Sequence, residues 1–127
     1  MQARTMVIAG LVGAASLVPA GAALAKDGDV EVERACSGPS TIELKLSPEN
    51  GRLEVEVEVD RNRRGVAYNW SIWRGKARLA FGTRTTAGVS GSFEVRRVVN
   101  DRAGTDTLTA KATRKGGGET CTVTARI

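Results

Sequence analysis

The stretch Leu53-Glu54-Val55-Glu56-Val57-Glu58-Val59-Asp60 sets an apolar residue against an acid four times in succession. A period of two puts the aliphatic side chains on one face of an extended chain and the carboxylates on the other, so residues 53–60 are predicted to form a strand lying on a core. Working outward, runs of similar character recur at 41–47, 66–74, 77–85, 92–99, 107–114 and 120–127. Turn chemistry separates them: Pro48-Glu49-Asn50-Gly51, Arg63-Arg64-Gly65, Gly75-Lys76, Asp101-Arg102-Ala103-Gly104 and Gly116-Gly117-Gly118. A short extra strand is offered by residues 30–35. No segment beyond residue 25 has helical period. The expectation is an all-β domain, a single antiparallel β-sandwich of about seven strands over residues 26–127.

The first 25 residues have a different character. Arg4 is followed by the uncharged apolar run MVIAGLVGAASLV, residues 6–18, then Pro19 and a small-residue tail ending Ala23-Leu24-Ala25. This is the pattern of a secretory signal peptide, with the cut expected between Ala25 and Lys26. The run is shorter than the ~20 residues a membrane-spanning helix requires. A lone arginine does not make a twin-arginine signal, and Glu33-Arg34-Ala35 before Cys36 lacks the apolar residue of a lipoprotein signal. The product is therefore expected to be secreted, extracellular or associated with the cell envelope, with no membrane span in the mature chain.

Export bears on the two cysteines, Cys36 and Cys121. In an oxidising compartment a lone pair joins, and the spacing offers no Cys-x-x-Cys to tune a reactive thiolate. We expect one structural disulfide. It closes a long loop, worth about 4.5 kcal/mol on the chain-entropy account.

Trp70 on the third predicted strand, and the segment Asn100-Asp101-Arg102-Ala103-Gly104-Thr105-Asp106-Thr107-Leu108-Thr109-Ala110, resemble features of the small immunoglobulin-like or fibronectin-type-III-like sandwiches of exported bacterial proteins. The resemblance implies a core position for Trp70. It also implies that the first and last strands begin at one pole, which makes a Cys36–Cys121 bridge geometrically natural.

Much familiar chemistry is excluded by composition. The 127 residues include no histidine, two cysteines and five aromatics, so histidine triads, histidine metal sites and four-ligand cysteine zinc sites cannot be built. Asp60-Arg61-Asn62-Arg63-Arg64-Gly65 opens like a calcium loop, but Arg64 and Ser71 occupy ligand positions. Asn69-Trp70-Ser71 fits a glycosylation sequon but falls in mid-strand. Glu54, Glu56 and Glu58 could mimic paired catalytic carboxylates, yet they are expected on a solvated face, with no cleft to push one pKa away from another and with Glu94 and Arg96 opposite. We expect no enzyme activity, no cofactor and no metal.

Charge is unevenly distributed: residues 26–60 hold ten acids and four bases, residues 61–127 four acids and fourteen bases. Alternating strand direction brings Arg61, Arg63, Arg64, Arg84, Arg114 and Lys115 to one pole, a candidate anion-binding cluster. Trp73, one residue past the core position Ile72, is expected to face outward on a hydroxyl-rich sheet as a candidate surface contact. The expected function is that of a non-enzymatic binding module contacting an anionic envelope polymer or an extracellular protein. An alternative is a secreted inhibitor of an extracellular enzyme. Nucleic acid is not an expected partner, since five scattered aromatics make no stacking platform.

Overall fold

The computed structural model describes residues 28–127, so the expected signal peptide lies outside the described residues. Eight strands form, and no helix occurs among the described residues: β1 Val30–Ala35, β2 Thr41–Glu49, β3 Arg52–Asp60, β4 Ala67–Arg74, β5 Ala77–Thr85, β6 Ser92–Asn100, β7 Thr107–Arg114 and β8 Thr120–Arg126. They make two four-stranded antiparallel sheets, ordered β1-β2-β3-β6 and β5-β4-β7-β8. The seven expected runs all appear, and the short extra strand β1 pairs with β2 along its whole length, from Val30↔Leu46 to Ala35↔Thr41.

The alternation read from residues 53–60 holds in the folded chain. Leu53, Val55, Val57 and Val59 are buried while the intervening acids face outward. Opposite them, Tyr68, Trp70 and Ile72 of β4, Leu108, Ala110 and Ala112 of β7, and Cys121, Val123 and Ala125 of β8 complete the core. The Tyr68 and Phe93 rings meet across the sandwich with centroids 5.8 Å apart. Ala110 and Ala112 put small side chains on the core face of β7.

One flank of the sandwich is stapled. Cys36 and Cys121 form the expected disulfide, with Cα atoms 4.3 Å apart, and Ser37 N donates to Thr120 O beside it. At the opposite pole, Arg74 Nε lies 3.2 Å from Asp106 Oδ1, both side chains being nearly inaccessible to water. The Asp106 backbone is in turn bonded both ways to Ile127. This ion pair and its backbone bonds hold the β6–β7 connection and the last residue against the sheet.

The uneven charge of the chain becomes a division between sheets. The strands of the β1-β2-β3-β6 sheet contain nine acids and five bases, whereas those of the β5-β4-β7-β8 sheet contain six bases and no acid.

Candidate functional site

Three connections converge at one pole: residues 61–66 between β3 and β4, 86–91 between β5 and β6, and 115–119 between β7 and β8. The first two are sewn together by Thr86, a buried threonine. Its hydroxyl accepts from Val66 N at 3.0 Å and donates to Arg63 O at 2.5 Å, while its backbone exchanges bonds with Gly65 and Val66. Gly91 packs so closely under this loop that a Cβ there would collide with the Arg63 backbone nitrogen. Arg61 N donates to Gly91 O. Asp60 Oδ1 accepts from Asn62 N, which sits in the left-handed region at φ 56°, so a short side-chain turn starts the loop.

Beneath the pole lies a buried polar network. Glu119, only 3% exposed, accepts hydrogen bonds from the Tyr68 hydroxyl at 2.6 Å, from Ser40 N at 2.8 Å and from Ser40 Oγ at 2.9 Å. Gly38 makes this possible, because a Cβ on it would stand 2.8 Å from a Glu119 carboxylate oxygen. Burial pushes the Glu119 carboxyl upward, but the bonds from Tyr68 and Ser40, together with the Arg61 guanidinium, outweigh it and hold the group below the ordinary carboxylate range. Tyr68 is displaced the other way, raised by burial and by its bond to Glu119. Glu119 is thus a buried, ionised and fully bonded carboxylate. It lies within 4.8 Å of both cysteine sulfurs, which the disulfide occupies.

The six cations expected at this pole are all found at it, in different states. Arg63 and Arg64 on the first loop and Lys115 on the third are exposed, and among the described residues they form no salt bridge. Arg61 is half-buried, and its charge acts on Glu119 without a direct ion pair. Arg84 and Arg114 are strand residues rather than loop residues, flanking Tyr68 in one cross-strand row. Arg84 reaches sideways to donate to Glu94 O on β6 at 2.9 Å. Arg63, Arg64 and Lys115 therefore remain as the open part of the cluster.

Trp73 faces outward as expected, but it is half-buried: its indole N–H donates to Ser71 Oγ at 2.8 Å, and Lys111 Nζ stands 5.0 Å from the ring centroid. It does not stand alone. On the neighbouring strand Phe81 is 64% exposed, with the Arg78 guanidinium 4.0 Å over its ring.

The acidic row departs from expectation. Arg96 does pair with Glu54 at 3.2 Å and Glu56 at 3.7 Å. The strand register, however, sets Glu33 opposite Glu43, Glu43 opposite Glu58, and Glu58 opposite Glu94, a ladder of four carboxylates across the sheet. Partial burial, then the charges of Glu31, Glu58 and Glu33, push Glu43 up to about 7. Burial and the charges of Glu94 and Asp60 raise Glu58 as well. On this open sheet face the pKa values shift without any cleft, because partial burial penalises the charged form first and like charges in direct cross-strand register add to it.

Ser40, Thr86 and Glu119 stand in no recognisable motif of the sequence. Glu119 carried a signal, being one of only four acids in residues 61–127 and standing between a triple glycine and the second cysteine. No helix among the described residues is long and apolar enough to cross a membrane. No protein-family model matches the chain, and no curated protein matches it significantly in sequence.

Proposed function

We propose that the chain is an exported, non-enzymatic binding module of the immunoglobulin-like kind, which holds an anionic polymer of the cell envelope at its cationic pole. The observation carrying this reading is the contrast within the cluster: Arg63, Arg64 and Lys115 stand exposed, without salt bridges among the described residues, on loops whose backbones are fixed by Thr86, Gly91 and the bonds from Lys115 N to Ala67 O and Arg114 N to Glu119 O. Fixed backbones hold the charges near one another, so less freedom is lost on binding. Guanidinium groups suit phosphate or carboxylate bidentately. The disulfide supports export, and the strand order β1-β2-β3-β6 over β5-β4-β7-β8 supports the immunoglobulin-like assignment.

The test is retention on envelope material from the source organism and on immobilised polyphosphate through a salt titration. The protein is expected to be retained at low salt and released as salt rises. Replacing Arg63, Arg64 and Lys115 together by serine is expected to abolish retention on polyphosphate, while Arg61 is left in place because its charge helps keep Glu119 ionised. Retention unchanged by the three substitutions would reject the pole.

A further inference from the structure

A second surface is independent of the pole. We propose that the outer face of the β5-β4-β7-β8 sheet docks an acidic polysaccharide, a chain of uronic-acid residues, across the Arg78–Phe81 and Lys111–Trp73 pairs.

Charge complementarity selects the occupant. The four strands of this sheet contain no acid, so Arg78 and Lys111 have no carboxylate on their own face to pair with. Each is placed over an aromatic ring instead, at 4.0 Å and 5.0 Å. A ring orders a cation without cancelling its charge, which leaves the charge available to an anion. The register brings the two pairs together: Phe81 and Lys111 both lie opposite Ser71, while Trp73, two residues along β4, lies opposite Arg78.

Between and beside these pairs the face is built of hydroxyl groups. Thr109 Oγ1 and Thr124 Oγ1 share a hydrogen bond at 2.9 Å. Outward residues repeat about every 6.8 Å along a strand and about every 4.8 Å between strands, giving a regular array of donors and acceptors. A phosphate polymer would use the cations alone. A neutral glucan would use the hydroxyls and the open part of the Phe81 ring, but not the cations. A polyuronate uses all three, since its carboxylates meet Arg78 and Lys111, its hydroxyls meet the threonines, and the C–H face of a sugar ring lies on Phe81.

The experiment uses the protein carrying Arg63→Ser, Arg64→Ser and Lys115→Ser, so that failure of the pole and failure of this face are read separately. Its affinity is measured for polygalacturonate, with dextran and polyphosphate as comparators. Binding is expected to polygalacturonate, at least about tenfold tighter than to either comparator. Adding Phe81→Ser and Lys111→Thr, both at exposed positions, is expected to weaken it by about tenfold with the unfolding midpoint unchanged. Arg78→Ser gives a second variant that removes the other cation. The proposal is overturned if the pole-substituted protein does not bind polygalacturonate, if it binds a comparator equally well, or if the face substitutions leave binding unchanged.

Discussion

The two sheets enclose one core but treat carboxylates in opposite ways. In the β1-β2-β3-β6 sheet, nine acids share four strands, and the register stacks Glu33, Glu43, Glu58 and Glu94 in one row. Against the other sheet two acids are buried: Asp106 pairs with Arg74, and Glu119 accepts from Tyr68 and Ser40 under the influence of the Arg61 charge. The same side chain is therefore raised to about 7 at Glu43 and lowered at Glu119. Burial alone does not decide the direction, since it acts upward on both. The deciding factor is whether the neighbours offer donors and a cation or further carboxylates.

The disulfide and the Glu119 network share one corner, and breaking the disulfide there is expected to have the largest effect. Cys36→Ser with Cys121→Ser should cost about 4 kcal/mol in denaturant unfolding, because an 85-residue separation loses its constraint on the unfolded chain. Next comes Glu119→Gln, at about 2–3 kcal/mol at neutral pH, since an amide nitrogen would replace an acceptor facing Ser40 or Tyr68. The pH dependence follows from the direction of the shift. A carboxyl held below its unfolded pKa stabilises the fold above that pKa and loses the contribution as pH falls through the lowered folded value. Acid unfolding of the parent protein should contain this step, and the Gln variant should lack it.

Glu43→Gln is expected to do the reverse. Glu43 favours the fold while protonated, so its contribution is present below pH 4.5 and is lost as pH climbs through about 7. Removing the charge should raise stability at pH 8 by about 1 kcal/mol, a modest gain because water screens the half-exposed group, and change little at pH 4. Thermal melts at the two pH values read the difference directly. Equal effects at both would break the contrast with Glu119. The smallest change is Arg96→Ser, which removes exposed pairs to Glu54 and Glu56 and should cost about 0.5 kcal/mol, diminishing with salt.

The parts that were legible in the sequence are those with local periodicity. Residues 53–60 announce β3 and its buried face, the turn clusters bound the other strands, and two cysteines behind a signal-like leader announce their bridge. The carboxylate ladder was not legible. It depends on register between strands whose members stand 10 to 36 residues apart in sequence, and a one-residue slip would have moved every glutamate to the other face. The Glu119 network was hidden for a related reason, since Ser40 lies 79 residues away and Tyr68 lies 51. Arg61 and Arg64 look alike in sequence, and only the fold separates the half-buried cation whose charge acts on Glu119 from the exposed one.

Nine acids are gathered on the strands of one sheet, while Glu119 and Asp106 are bonded in place elsewhere, and among the described residues Arg63, Arg64 and Lys115 form no salt bridge. The most direct test is the salt dependence of polyphosphate binding, comparing the parent protein with the Arg63→Ser, Arg64→Ser and Lys115→Ser variant. Three cations released from a single-stranded polyanion should flatten the plot of log affinity against log salt by roughly 2. An unchanged slope would mean that these three residues hold no anion, and would contradict the account.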